Sequence, residues 1–255
     1  MKFPHLFEFM DLDWLPKSLR NTLRDILECG NAKPFRPYYA WAAETIINVA
    51  NRVGAKNIVE LGAGTAPLTR HLAQNTKCNA KLIPCDRNPD TAVYEDLKKS
   101  FPGVVEPHTE PIDFSITRAW PESTLLVLSA TLHHLPREAR RQAIIAMSKS
   151  ADAVLILEPL RRTIASGLFV IGSAVPAVLL PLLFIARPGG SRRFIWCWLI
   201  PVAPIAFLWD GWISCIREWH SKEYEDAVKD EPVTCEVKNH GLFSQSVLIR
   251  RLGER

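Results

Sequence analysis

The stretch "VELGAGTAPLT", Val59 to Thr69, sets two glycines directly after a β-branched run. A backbone that must pass close to a ligand needs glycine, and Gly62 and Gly64 supply two such points at a strand-to-helix turn. A dinucleotide fingerprint would carry a third glycine where Pro67 stands, and no Gly-Lys pair follows to form a phosphate loop. Glu60, two positions before the first glycine, would repel a diphosphate and attract an ammonium. Asp86 in "LIPCDRNP" closes the next strand about twenty residues on, where a carboxylate can accept both hydroxyls of a ribose. Asp113 in "EPIDFS" follows a third extended run and can accept from an adenine amino group.

An ammonium partner, a ribose partner and an adenine partner together describe S-adenosylmethionine better than NAD. Each residue also has a plainer reading: an ordinary strand-turn for Glu60 and the glycines, a helix start for Asp86, a turn for Asp113. His133 and His134 are the candidate bases. Methyl transfer from a sulfonium is an in-line displacement that demands alignment and exclusion of water. A base is needed only when the acceptor must lose a proton, so either histidine can instead line a pocket. Glu158 and Asp210 are further polar candidates.

The elements that must position these groups alternate regularly. "YYAWAAETIINVANRVG" repeats apolar positions at helical spacing and stops at Gly54. "NIVELGAG", "AKLIPCD", "VVEPHTEPIDF", "STLLVLS" and "ADAVLILEP" read as five strands, with helices between them at "APLTRHLAQNT", "DTAVYEDLKKSF" and "REARRQAIIAMSKS". Ser221 is expected to cap a last helix. "VTCEVKNHG" and "SQSVLIRRL" then pair around a His240-Gly241 turn. The alternation predicts a doubly wound, Rossmann-like α/β fold with a parallel central sheet.

Residues 36 to 159 and the final 35 or so resemble the class I S-adenosylmethionine-dependent methyltransferases, through Glu60, Gly62, Gly64, Asp86, Asp113 and the segment Ser129–His134. The resemblance implies a seven-stranded sheet with an antiparallel terminal strand, and S-adenosyl-L-methionine as cofactor. It places Glu60, Gly62, Ala63, Gly64, Thr65, Asp86, Arg87, Asp113 and Ser129 around that cofactor, with "LHHLP" near the transferring methyl. No metal is implied.

Between the core segments lies "TIASGLFVIGSAVPAVLLPLLFIARPGG", free of charge from Ile164 to Ala186 and long enough to cross a bilayer. The next run, "FIWCWLIPVAPIAFLW", is broken by Pro201 and Pro204 and ends at Asp210. Two full crossings would leave "RPGGSRR" on the outer side, which the positive-inside rule disfavours. An inserted apolar helical hairpin dipping into one leaflet keeps Arg161, Arg162, Arg187, Arg192 and Arg193 at the headgroups. A hydrophobic lid in water or an ordinary core are the other readings. Five of the eight tryptophans (Trp196, Trp198, Trp209, Trp212, Trp219) fall here, and tryptophan suits both a membrane boundary and an aromatic pocket. The stretch is similar to a bacterial branch of the same methyltransferases, in which an apolar insertion after the fifth strand ends with residues matching Trp209, Asp210, Gly211, Ser214 and Arg217. That likeness bears on architecture and not on the acceptor.

Composition sets outer bounds. Apolar residues at 47% and charged residues at 23% are globular values, and a net charge of +4 without a basic tract argues against nucleic acid as partner. Six cysteines show no metal-binding spacing and read as buried small hydrophobes. Acidic residues in "MKFPHLFEFMDLDWL" do not suit a signal peptide. The expected organisation is an N-terminal cap (1–35), a cofactor-binding core (36–160), an apolar hairpin (161–220) and a final helix with two strands (221–255). The expectation is a membrane-associated methyltransferase, its catalytic domain cytoplasmic, acting on a hydrophobic small molecule or lipid. The alternatives are a catalytically weak methyltransferase-like membrane scaffold and, disfavoured by Pro67, a nicotinamide oxidoreductase.

Overall fold

The computed structural model describes residues 6–30, 37–114, 119–183 and 189–252. They condense into two compact units, one from Met1–Arg36 with Leu160–Glu218 and the other from Pro37–Pro159 with Trp219–Arg255. Arg187 and Cys29's side chain lie outside the described groups.

The first unit begins with a 3-10 turn, Phe9–Asp11, and helix α1, Lys17–Gly30. Leu15, Leu19, Leu23 and Ile26 recur at helical spacing and form its core with Ala177, Cys197, Ala203 and Ala206. The second unit starts with α2 (Pro37–Val53), then β1 (Asn57–Leu61), α3 (Pro67–Ala73), β2 (Lys81–Cys85), α4 (Thr91–Ser100), β3 (Thr124–Ser129), α5 (Arg137–Ser150) and β4 (Ala153–Glu158). After β4 the chain returns to the first unit as α6 (Ile164–Gly172), α7 (Ala174–Leu183), α8 (Gly190–Phe194), a π turn (Ile195–Leu199) and α9 (Val202–Arg217). It closes the second unit with α10 (Ser221–Val228), β5 (Val233–His240) and β6 (Ser244–Arg251).

The sheet runs β2-β1-β3-β4-β6-β5, with β2, β1, β3 and β4 parallel and β6 antiparallel to both its neighbours. Buried residues of β1, β3 and β4 form continuous runs, as strands covered on both faces must. Their side chains alternate between two cores. Ile58, Leu125, Val127, Leu155 and Leu157 pack with α2, α3 and α4, while Val59, Leu126, Leu128, Val154 and Ile156 pack with α5 and α10. The expected terminal hairpin is present. His220, one residue before the expected Ser221, caps α10 and pairs with Glu223 in a capping box.

The sheet has six strands among the described residues, not seven. "VVEPHTEPIDF" runs beside β2 but makes only the bridge Leu82–Val105. Leu82 N–H donates to Val104 O, and Glu106 and His108 N–H donate to Leu82 and Pro84 O. The next rung would need an N–H from Pro84, which has none, and Pro107 and Pro111 remove further donors.

The apolar insertion is not two straight arms. Only Ser173 lies between α6 and α7, and helical hydrogen bonds run through it, from its N–H to Phe169 O and from Ala177 N–H to its own carbonyl; Gly190–Leu199, by contrast, meets Val202–Arg217 at a bend of 77°. Pro176 and Pro204 each sit in the first turn of a helix, where a missing N–H costs nothing. No single helix among the described residues is long and apolar enough to cross a membrane. Gly167 packs against the Trp212 ring and Gly211 against Val170, so α6 and α9 touch through glycine on both sides. The N-terminal segment is strapped to this group. Asp210 accepts the N–H groups of Phe9 and Met10 (2.6 and 3.2 Å), Trp209 Nε1 donates to Phe7 O, and buried Arg217 bridges Glu8 and Asp11.

Candidate donor and acceptor site

Leu61 ends β1, and the chain turns through Gly62 (φ +73°), Ala63 and Gly64 (φ +57°) into α3. Ala66 also adopts a left-handed conformation, and Pro67 opens α3 with a pre-set φ. The two glycines serve different ends. A Cβ on Gly62 would stand 2.5 Å from Thr131 Cγ2, so this glycine permits the β1 turn to pass the loop after β3. A Cβ on Gly64 would meet nothing within 4 Å. Gly64 therefore borders open space that a ligand can enter.

Asp86, at the end of β2, binds this loop directly. Its Oδ2 accepts the Gly64 N–H at 2.8 Å and its Oδ1 accepts the Asn88 N–H at 2.7 Å. Each carboxylate oxygen retains capacity for a second donor. Arg87 beside it is exposed and Thr65 half-buried. The Ala63 N–H donates to Cys85 O at 2.9 Å, which fixes the loop against β2.

Glu60 is buried, and the Thr69 hydroxyl on α3 donates to its carboxylate. Burial raises the Glu60 carboxyl to about 7, against the pull of Thr69 and with a small push from the Asp86 charge. Asp113 is exposed; its neighbour Ile112 is buried and donates its N–H to Asp86 O at 2.9 Å. The third acidic position thus lies next to the end of β2.

At the ends of β3 and β4 a second polar group gathers. Ser129 Oγ is 2.8 Å from the Tyr38 hydroxyl, which also reaches Leu157 O at 3.4 Å. Ala130, left-handed, bonds Leu157 O, and Thr131 Oγ1 donates to Ser129 O at 2.8 Å. His133 is buried with Nδ1 2.9 Å from Glu158 Oε2, and its ring stacks on half-buried His134 at 4.5 Å. The Arg140 guanidinium donates to His133 O at 2.6 Å and lies over the Trp219 ring. Gln245, opposite Glu158 in the β4–β6 register, donates to Trp219 O.

The structure therefore brings Glu60, Gly62, Ala63, Gly64, Thr65, Asp86 and Arg87 to one pair of strand ends, and Ser129, His133, His134 and Glu158 to the adjoining pair. Asp210 is in the other unit, where it holds backbone N–H groups. Thr69 and Thr131 lie inside stretches the sequence marks, Val59–Thr69 and Ser129–His134, but were given no role of their own. Tyr38 and Gln245 carry no motif, and each becomes visible only through contacts between distant segments.

No family model and no curated protein matches this sequence. Solved structures do match. Human N-acetylserotonin methyltransferase in complex with SAM aligns with a TM-score of 0.57 at 12% identity, over 97% of this chain and 63% of that one. A SAM-dependent methyltransferase from Aquifex aeolicus aligns at 0.52 and 11%, over 89% of this chain and 97% of that one. The mitomycin 7-O-methyltransferase MmcR aligns at 0.51 and 14%, over 95% and 70%. The fold is that of the SAM-dependent methyltransferases. In a methyltransferase fold the six-strand order found here, with β6 antiparallel between β4 and β5, places Glu60, Asp86, Ser129 and Glu158 along one edge, the carboxyl ends of the parallel strands, where open α/β sheets bind ligands.

Proposed function

We propose that the chain is an S-adenosylmethionine-dependent methyltransferase acting on an apolar small molecule or lipid at a membrane surface. The observation that carries the donor reading is the Gly62-Ala63-Gly64 loop with its N–H held by Asp86, beside the open space at Gly64. These residues fit the donor. The loop backbone can approach the methionine part closely, Glu60 offers a carboxylate to its ammonium, and Asp86 retains acceptor capacity for ribose hydroxyls. Ala63, Thr65, Arg87, Asp113 and Ser129 complete the surround. When bound, the donor supplies an activated methyl on a cationic sulfur.

His133 and Glu158 then have a defined task. A carboxylate on Nδ1 holds the imidazole in one orientation and raises its basicity, which suits a base for an acceptor that must lose a proton. His134 packs on that ring and shapes the pocket.

The membrane reading rests on inverted polarity in the first unit. Ile164, Leu168, Ile171, Val175 and Leu179 fall on one helical stripe and are all at least half exposed, while Glu8, Arg193, Asp210 and Arg217 are buried. Exposed Trp14, Trp198, Trp209 and Trp212 suit a headgroup boundary. On this reading the second unit faces the cytoplasm.

Calorimetric titration with S-adenosylmethionine tests the donor site: wild type binds, and Asp86→Ala loses affinity. No binding by the wild type, or an unchanged Asp86→Ala, sinks the enzyme reading. Flotation with anionic liposomes tests the surface, since Leu168→Glu with Ile171→Glu should leave the protein at the bottom of the gradient. Wild-type protein that does not float refutes the membrane reading alone.

A further inference from the structure

Tyr38 is used by none of the roles above. It is the second residue of α2, yet its hydroxyl lies across the ends of two strands, 2.8 Å from Ser129 Oγ on β3 and 3.4 Å from Leu157 O on β4. Its one proton goes to one of these oxygens, so at least one phenolic lone pair remains for another partner. Burial pushes the phenol well above its ordinary range, and the charges of Glu158 and Glu60 push the same way. The hydroxyl therefore stays neutral, at the strand ends where Glu60 on β1 and Glu158 on β4 also stand.

A neutral oxygen with an unshared pair, at strand ends that carry two acidic residues, is a poor place for an anion and a good one for a cation that offers no hydrogen-bond donor. A sulfonium is such a cation: it carries full charge and has no N–H or O–H to give. An ammonium would instead seek hydrogen-bond acceptors such as Glu60. Resting on the methyltransferase reading, we propose that Tyr38, held by Ser129, is a further donor-binding residue that reads the sulfonium charge and so favours the charged methyl donor over its neutral thioether product. Loss of the methyl removes the charge, weakens the hold of this group and aids product release.

The test compares two ligands on two variants. Wild type, Tyr38→Phe and Ser129→Ala are titrated calorimetrically with S-adenosylmethionine and with S-adenosylhomocysteine, and melted without ligand. Tyr38→Phe removes one oxygen and keeps the ring. It should weaken the sulfonium ligand about five- to tenfold, the effect of one polar contact, and the thioether less than about twofold. Ser129→Ala, which releases the phenol, should shift the ratio in the same direction and decides the matter should Tyr38→Phe not fold. A purely structural role for Tyr38 lowers the melting temperature and weakens both ligands equally; that result, or unchanged affinity for both, overturns the inference. Wild type that binds neither ligand refutes the methyltransferase reading itself and this inference with it.

Discussion

Gly62 and Gly64 share a loop and a left-handed conformation, yet their replacement by alanine should have opposite consequences. Both variants bear the cost of a left-handed alanine, about 1–2 kcal/mol. Gly62→Ala adds a second cost, because its Cβ falls 2.5 Å from Thr131 Cγ2 and 2.9 Å from Thr131 Oγ1. Thr131 cannot swing aside freely, since its hydroxyl is tied to Ser129 O and the residue is buried. Overpacking of this kind costs about 1–3 kcal/mol. The total of about 2–5 kcal/mol corresponds to a fall in melting temperature of about 5–15 °C for a chain of this size. Gly64→Ala should lose only about 2–6 °C, but it fills the open space beside the Asp86-bound N–H and should abolish donor binding. Thermal melts followed by circular dichroism, with calorimetric titration of S-adenosylmethionine, read both effects. Thr131→Ser removes the clashing methyl and should recover about 1 kcal/mol or more in the Gly62→Ala background, a coupling expected only between touching residues. Equal melting losses for the two glycine variants, with no rescue by Thr131→Ser, would refute the assignment of different tasks to the two positions.

Glu60 makes the molecule sensitive to pH in a defined window. Its folded carboxyl lies at about 7 against an ordinary 4.5, so the folded state holds the proton more tightly and stability falls as pH rises from about 4.5 to 7. The shift is worth about 3 kcal/mol at most, and Glu60→Gln should flatten that part of the stability profile; a parallel slope in wild type and variant would count against it. An ammonium favours the ionised carboxylate, so donor affinity should rise over the same pH range and Glu60→Gln should remove the rise. Arg217→Met leaves Glu8 and Asp11 without the guanidinium between them, at a cost of about 3–5 kcal/mol, and should speed amide exchange at Phe9 and Met10. Unchanged protection there would show that the strap does not depend on Arg217. With a hydroxyl acceptor in hand, His133→Ala should lower kcat by about a hundredfold or more with donor affinity intact; an unchanged kcat would assign His133 to the pocket wall.

The central sheet was legible because its signal is local. Runs such as "NIVEL" and "AVLILE" are buried along their length, and Gly54 and Gly62 mark where elements stop or turn. The turn after β1, where the donor site is proposed, was legible for the same reason, since Glu60, Gly62 and Gly64 sit within five residues, and the N–H that Asp86 holds lies in that stretch. The missing strand was not read from "VVEPHTEPIDF" because the decisive residue is in its partner: Pro84 withholds the rung that would continue the ladder beside it. Tyr38 was invisible for a related reason. It carries no motif, and its meaning comes from Ser129, 91 positions away.

The apolar insertion shows how a composition can mark a region and leave its geometry open. A charge-free run of bilayer length suggests a long helix, but length in sequence becomes length in space only if the hydrogen-bond ladder is unbroken. Here the second run bends by 77° at Pro201, and the short helices lie against α1 instead of running as two arms. Ionic groups that a spanning pair would have to place at headgroups are used inside the unit, where Arg192 and Arg193 bind Asp25 and Arg217 binds Glu8. Besides exposed charges such as Asp13 and Lys17, the unit presents Ile164, Leu168, Ile171, Val175 and their neighbours outward. A contiguous apolar face of that kind is costly in water and favourable at a lipid boundary, to which the proposed reading also assigns the exposed tryptophan rings. On that reading the unit would need no crossing to hold the protein at a membrane. Replacing two stripe residues by glutamate therefore separates surface binding from folding, because the stripe contributes nothing to the packed interior formed by Leu19, Leu23 and Ala203.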